Sequence, residues 1–93
     1  MNDSSFHRTV STGTVLVMFT ATWCATCHTA APALERLAER HPVRVVMADL
    51  AEVPLAAVEY SVRSLPTVVL LRDGVERRRW CGSINIRAIE EEL

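Results

Sequence analysis

Two cysteines, Cys24 and Cys27, are separated by two residues and followed directly by His28. A Cys-x-x-Cys pair can exchange between a dithiol and a disulfide, or it can supply half of a zinc site. With a histidine next to it, the pair can also attach a c-type haem. Each chemistry requires a different setting, so the elements that position the pair decide among the three.

The pair is predicted to lie where a strand runs into a helix. Residues 14–20, TVLVMFT, are mostly apolar and rich in β-branched side chains, which indicates a buried strand. From about Cys24 to Arg40, apolar residues recur at helical spacing. Cys24 would then sit at the helix N-terminus, where unpaired N–H groups and the helix dipole stabilise a thiolate and lower its pKa below the usual ~8.5. Cys27 follows one turn later, close enough to close a disulfide, which favours thiol–disulfide exchange with Cys24 as nucleophile and Cys27 as resolving thiol.

Three further strands are predicted. Residues 43–49 form a second buried strand, and the long helix before it implies a parallel connection to the first. Residues 67–72 form a third strand. The turn signal Asp73-Gly74 then predicts that residues 76–81 return as an antiparallel edge strand, with arginines that discourage aggregation.

The remaining segments are predicted to be short helices. Residues 51–60 contain Pro54, which a first helical turn accepts. After Asn85 as N-cap, Ile86, Ile89 and Leu93 would share one helix face. Within residues 1–13, Asp3 or Ser4 would cap a short helix that carries Phe6 and Val10 and stops at Gly13.

Length and charge restrict the function further. Ninety-three residues, 49% of them hydrophobic, predict one domain over residues 1–93. A net charge of −1 gives no electrostatic reason to expect a nucleic-acid partner, and no apolar run approaches the ~20 residues of a membrane span. The N-terminus lacks the apolar core of a signal peptide, so a cytoplasmic location is expected, where catalytic cysteine pairs are ordinary and structural disulfides are not.

From about residue 13 onwards, the sequence resembles the thioredoxin family. Several separate marks carry the resemblance. They are the motif Trp23-Cys24-Ala25-Thr26-Cys27, the helix-kinking Pro32, the stretch Tyr60-Ser61-Val62-Arg63-Ser64-Leu65-Pro66-Thr67, and the glycines Gly74 and Gly82.

The resemblance implies a trimmed α/β thioredoxin fold. Its four-stranded mixed sheet would have the order 43–49, 14–20, 67–72, 76–81, flanked by helices. Too few residues precede the strand at 14–20 for the family's usual first strand. The strand at 43–49 would therefore be a sheet edge that the N-terminal segment or another chain must cover.

The resemblance also implies a protein disulfide oxidoreductase with no cofactor beyond its redox-active cysteines. Its partners would be disulfide-containing proteins and an upstream reductase. Trp23, Leu65, Pro66 and Gly82 would form the substrate-binding surface. Pro66 would follow a cis bond and face the cysteine pair, leaving the Leu65 backbone free to pair with an extended substrate segment. A monomer is expected, with a dimer through the exposed sheet edge as the alternative.

Four positions depart from the family pattern. Ala25-Thr26 replaces the usual Gly-Pro between the cysteines, Met18 occupies the place of a buried aspartate, and Val45 that of its partner lysine. Methionine cannot accept a proton, so Cys27 would have to lose its proton to water or to a substrate group.

Other interpretations remain open at this point. The fold could serve as an interaction module that docks a partner at Leu65-Pro66 without turnover. Haem attachment would use His28 as axial ligand but normally requires export, and a zinc site would have only His28 and Cys81 as further ligands. His28 is either a solvated surface residue or, when protonated, a group that lowers the thiol pKa. Cys81 is expected to be a small buried apolar residue, with a third redox thiol as the alternative.

Overall fold

Helices and strands alternate along the chain, and the structure, a computed structural model, describes all residues 1–93. The elements in order are α1 (Asp3–Val10), β1 (Thr14–Thr20), α2 (Ala25–Arg40), β2 (Arg44–Asp49), α3 (Pro54–Glu59), β3 (Thr67–Arg72), β4 (Val75–Cys81) and α4 (Ile86–Glu90). The strands lie within one residue of their predicted bounds. The helix at 51–60 is shorter than predicted because it begins only at Pro54, its first helical residue.

The strands form one mixed sheet in the order β2-β1-β3-β4, as the sequence predicts. β1 pairs with β2 in parallel and with β3 in antiparallel orientation, so Met18 lies between Met47 and Val68. The five inner residues of β1 are all buried. β1 is thus a central strand, and its carboxyl end leads directly into the cysteine motif.

Side chains that alternate along β1 supply two separate cores. Leu16 and Met18 pack with α2, α4 and both motif cysteines on one face of the sheet. Val15, Val17 and Phe19 pack with α1 and α3 on the other face. The cysteine motif therefore belongs to the α2–α4 side of the molecule.

The N-terminal helix is capped differently from the prediction. Asn2, rather than Asp3 or Ser4, is the N-cap: its side chain accepts the N–H of Ser5, whose hydroxyl accepts the N–H of Asn2. The Asp3 carboxylate instead accepts the backbone N–H of Ala56 at 2.8 Å, at the start of α3. Asp3 therefore caps a neighbouring helix, a contact that spacing along the sequence does not reveal.

The same helix covers a face of the sheet rather than its edge. Phe6 and Val10 are buried against β1, β3 and α3. β2 consequently has a strand partner on one side only, and at that edge the N-terminal segment contributes the Thr12 carbonyl, which accepts from Arg44 at 2.7 Å. Of the two covers expected for this edge, the N-terminal segment provides only the Thr12 contact, since α1 packs on the face of the sheet; cover by another chain stays a prediction.

The final helix ends earlier than predicted. Asn85 caps it by accepting the N–H of Ala88, but α4 ends at Glu90 and so excludes Leu93. The Glu90 carboxylate accepts hydrogen bonds from His41 at 2.7 Å and Arg40 at 3.0 Å. These bonds fasten α4 to the C-terminal end of α2, and both helices border the cysteine motif's side of the sheet.

Candidate active site

Cys24 and Cys27 form a disulfide at the N-terminus of α2, with their Cα atoms 5.3 Å apart. Cys24 is the N-cap residue in extended conformation, and its Sγ accepts the backbone N–H of Cys27 at 3.2 Å. Sulfur therefore takes the place that a serine or aspartate oxygen usually takes at a helix N-cap. In the reduced protein the same N–H would face a thiolate on Cys24.

A tight connection between β1 and α2 positions the motif. The Cys24 N–H donates to the Ala21 carbonyl at 3.1 Å, and the His28 N–H donates to the Cys24 carbonyl at 3.3 Å. Cys24 is 6% exposed and Cys27 only 1% exposed. Both cysteines are therefore buried, and Cys24 is the more exposed residue of the two.

The loop before β3 borders the disulfide's side of the molecule. The Leu65–Pro66 peptide bond is cis. The Gly82 N–H donates to the Pro66 carbonyl at 3.0 Å, which holds the end of β4 against this loop. Leu65, Pro66 and Gly82 all line a groove of about 580 Å³ whose wall also includes Thr26 from the cysteine motif.

Comparison with known proteins agrees with this geometry. The thioredoxin family model matches residues 1–93. The chain belongs to the thioredoxin family. With its cysteine pair at disulfide distance, this thioredoxin-family chain is a thiol–disulfide oxidoreductase.

Individual thioredoxins match over most of their length. The chain is 37% identical to a thioredoxin of Chlamydia trachomatis over 83 residues, which cover 88% of this chain and 81% of that one. It is 35% identical to thioredoxin Asp f 28 of Aspergillus fumigatus, over 99% of this chain and 86% of the relative. Among solved structures, a mutant thioredoxin from Halobacterium salinarum superposes with a TM-score of 0.82 at 33% identity, covering 90% of this chain and 74% of that one.

The surroundings of Cys27 are apolar. Cys27 and Met18 share a buried cluster whose other members are hydrophobic side chains and Cys24. Met18 is 1% exposed, and Val45 packs against the same cluster. The structure therefore places no carboxylate behind Cys27 at the position where the family carries one.

Thr26 is a functional candidate that sequence reasoning passed over. Its Oγ1 lies 3.4 Å from Cys24 Sγ, and either atom can be the donor. Against a Cys24 thiolate, only the hydroxyl can donate, so Thr26 would supply a second hydrogen bond to that sulfur. The sequence could have indicated this contact, because a hydroxyl two residues after an N-cap lies in the first helical turn, close to the N-cap side chain.

His28 contacts the backbone rather than a sulfur atom. Its Nε2 lies 3.1 Å from the Thr22 carbonyl oxygen, and since a carbonyl only accepts, Nε2 must carry the proton. The bond ties the start of α2 to the residue preceding Trp23. Trp23 itself is 77% exposed beside the motif and does not line the groove.

The prediction that Cys81 is buried is wrong. Cys81 is exposed at the end of the edge strand β4, where its Sγ accepts from Thr67 Oγ1 at 3.7 Å. β4 has a neighbour on one side only, so most of its side chains face solvent. Nowhere in the structure do three His, Cys, Asp or Glu side chains converge in a group that could hold a metal ion. Of the four helices, none combines the length and hydrophobicity needed to cross a bilayer.

Proposed function

We propose that this thioredoxin-family chain reduces disulfide bonds in other proteins, with Cys24 as the nucleophile and Cys27 as the resolving thiol. The observation that carries the proposal is the position of Cys24 Sγ at the N-cap of α2, 3.2 Å from the N–H of Cys27. A thiolate at this position is stabilised by the N–H and by the helix dipole. The lower exposure of Cys27 supports its assignment as the second thiol to react.

The exchange balances without any further group. The Cys24 thiolate attacks one sulfur of a substrate disulfide, forms a mixed disulfide and releases the other substrate sulfur as a thiolate. The Cys27 thiolate then attacks Cys24 Sγ, which closes the Cys24–Cys27 disulfide and releases the second substrate sulfur. The substrate gains two electrons and two protons, and the protein loses them.

The substrate-binding surface is proposed to comprise Trp23, Leu65, Pro66 and Gly82. Trp23 offers an exposed apolar platform beside the motif. Pro66 places a residue without an N–H beside the cysteine pair, and an extended substrate segment would pair with the backbone of Leu65. Gly82 lines the groove without adding a side chain to it.

Several further properties belong to the same proposal. The chain acts in the cytoplasm as a monomer, with a dimer through the open edge of β2 as the alternative. It uses no cofactor beyond Cys24 and Cys27, since a dithiol completes both steps of the exchange. An upstream reductase returns two electrons to the oxidised pair after each turnover. Disulfide-containing proteins are the substrates, and neither nucleic acid nor a membrane is a partner.

Insulin reduction in the presence of dithiothreitol tests the proposal. Catalytic turnover requires that the wild-type chain accelerate insulin precipitation over dithiothreitol alone, and that Cys24→Ser abolish the acceleration. Cys81→Ser should keep it, because Cys81 lies outside the pair. Binding of insulin without any acceleration would support an interaction module and contradict the proposal.

A further inference from the structure

The strand β2 has a neighbour, β1, on one side only, so its other side is an open sheet edge. We propose that this edge pairs reversibly, in antiparallel orientation, with the same edge of a second copy of the chain. The two four-stranded sheets then form one continuous sheet. The monomer of the proposed function remains the reacting unit, and the dimer is its associated form.

The two edges of the sheet differ in how they are protected. At the far edge, β4 is mostly exposed, carries Arg77, Arg78 and Arg79, and pairs with β3 through a register shift. Charged side chains and bulges are common means by which an edge strand avoids pairing with another chain. Between Arg44 and Asp49, β2 has only apolar residues, and its pairing with β1 is regular. The middle of β2 therefore lacks the protection that β4 has.

The open edge of β2 presents free backbone groups. The Leu50 N–H donates to the Thr20 carbonyl of β1 at 2.9 Å. Because alternate residues of a strand direct their N–H and C=O groups to opposite sides, residues 44, 46 and 48 also bond β1. Val45 and Met47 direct theirs to the open edge, where no other hydrogen bond of the structure reaches them. Both residues are partly exposed, so another strand can approach these groups.

Backbone bonds at the two ends of β2 limit the free stretch. On the amino side, the Val43 N–H donates to the His41 carbonyl at 2.8 Å. On the carboxyl side, the Asp49 carbonyl accepts the Glu52 N–H at 2.9 Å. The residues whose N–H and C=O groups are both free at this edge are therefore 45 and 47.

An antiparallel partner with Val46 on the twofold axis satisfies all of these groups. Val45 then lies opposite Met47 of the second copy, and Met47 lies opposite Val45 of the second copy. Residues opposite each other in such a pair exchange both of their N–H···O bonds. The two Val46 residues face each other in the pair between them, with Cβ atoms about 4.5–5.5 Å apart. Two identical strands thus match group for group, which favours a second copy over an unrelated strand.

The charges at the ends of β2 support the same orientation. Arg44 begins the strand and Asp49 ends it. Their side chains bond backbone groups of their own chain, the Thr12 carbonyl and the Ala51 N–H, rather than an opposite charge. Antiparallel pairing brings the Arg44 end of each strand beside the Asp49 end of the other. Opposite charges therefore come close at both ends of the contact, whereas parallel pairing would bring like charges together.

The association keeps the two cysteine pairs apart from the contact. Val46 pairs with Val17 in the middle of β1, whereas Cys24 follows the carboxyl end of that strand. In an antiparallel dimer the two motifs consequently lie at opposite ends of the joined sheet. The rate of disulfide reduction per chain should therefore not depend on association.

Sedimentation equilibrium tests the dimer, with dithiothreitol present so that no disulfide links two chains. Between micromolar and millimolar concentration, the mass of the wild-type chain should rise from 10.4 kDa toward twice that value. Val46→Lys and Val46→Glu should each raise the dissociation constant about tenfold or more, since two like charges would meet on the twofold axis. An equimolar mixture of the two variants should associate again, because lysine then faces glutamate.

Two further variants complete the test. Val75→Lys is the matched control, because Val75 is exposed on the opposite edge strand, and it should associate as the wild type does. Met47→Pro removes an N–H that faces the open edge and no bond to β1, a change that an edge strand tolerates. It should abolish association and replaces the Val46 variants if they fail to fold.

The outcomes separate the dimer from the proposed function. A wild-type mass of one chain at every concentration would overturn the proposal and leave the edge to a different protein. Association that persists in folded Val46→Lys or Met47→Pro, or a mixture of the charged variants that stays monomeric, would overturn it as well. Each folded variant should reduce insulin at the wild-type rate. Failure of the wild-type chain to reduce insulin would contradict the proposed function and leave the dimer standing.

Discussion

The backbone N–H of Cys27 points at Cys24 Sγ from 3.2 Å, so in the reduced protein the proposed resolving residue would stabilise a thiolate on the proposed nucleophile. Cys27 occupies the third helical position, the place from which an N–H normally bonds the N-cap side chain. The two-residue spacing of the motif thus provides both disulfide reach and an N–H donor. This relationship leads to distinct behaviour for the two thiols.

In the reduced protein, Cys24 should react first with an alkylating agent. It combines the helix N-terminus, the Cys27 N–H and the greater exposure, whereas Cys27 is 1% exposed. Brief treatment with iodoacetamide at neutral pH, followed by peptide mass spectrometry, should find Cys24 modified before Cys27. The experiment is best done in Cys81→Ser, which removes the exposed third thiol. Equal or faster modification of Cys27 would reverse the assigned roles.

Cys27→Ser should accumulate mixed disulfides with substrate proteins. Attack by Cys24 survives in this variant, but no second thiol is placed to release the product. Non-reducing electrophoresis after mixing with insulin should show a covalent adduct that dithiothreitol removes. The same experiment with Cys24→Ser should give little adduct, and comparable trapping by the two variants would argue against Cys24 as the nucleophile.

Met18→Asp should destabilise the fold. Met18 is 1% exposed in an apolar cluster, so a carboxylate there loses its hydration without a partner. Urea unfolding at neutral pH should show a loss of about 2 kcal/mol or more. Burial would raise the carboxyl pKa above its unfolded value, so the deficit should shrink as the pH falls from the folded pKa toward the unfolded one, below which both states are protonated and it no longer depends on pH. Met18→Leu is the control, since a volume-conserving change should cost less than about 1.5 kcal/mol.

The same substitution should accelerate resolution. Wild-type Cys27 has no buried acid to take its proton, so the closing step should be slow and should quicken as the pH rises. Met18→Asp, alone or with Val45→Lys, should increase that rate near neutral pH even though the fold is weaker. Stopped-flow measurement of disulfide closure across pH checks this. A wild-type rate that is flat in pH, with no gain from the aspartate, would show that another group already serves Cys27.

The contact between Glu90 and the end of α2 should make stability depend on pH. Hydrogen bonds from His41 and then Arg40 hold the pKa of Glu90 below its usual value. A lowered pKa in the folded state stabilises the protein above the unfolded carboxyl pKa, and the effect is lost as the pH falls through the folded value. Glu90→Gln should therefore lower the melting temperature at neutral pH, with a smaller difference from wild type in acid. Glu91→Gln, which changes an exposed neighbour, should show no such pH dependence.

The strands and the cysteine motif could be predicted from the sequence because their signals are local. β1 is a run of β-branched and apolar residues, and Asp73-Gly74 specifies the β3–β4 turn within two residues. Cys24 at the N-cap follows from its place between the apolar run of β1 and the first residues whose apolar side chains recur at helical spacing. The order of the strands, by contrast, came from the family resemblance rather than from these local signals.

The errors arose where the outcome depends on contacts between distant segments. The 2.8 Å bond from Ala56 to Asp3 joins residues 53 positions apart, and nothing near Asp3 indicates it. Cys81 was expected to be buried because cysteine usually is, but its place at the end of an edge strand decides its exposure. The groove along Ala30 and Ala33 could not be predicted either, because small residues on a helix are as consistent with close packing as with open space.

The most direct test of the exchange follows the electrons in a single turnover. The fully reduced Cys81→Ser chain is freed of reductant, mixed with excess insulin under anaerobic conditions, quenched with acid and analysed by mass spectrometry. Transfer through the pair predicts that each chain forms one Cys24–Cys27 disulfide while one insulin disulfide opens to two thiols. If insulin gains thiols while Cys24 and Cys27 stay reduced, or if the pair oxidises without any loss of insulin disulfides, the pair does not carry the exchange.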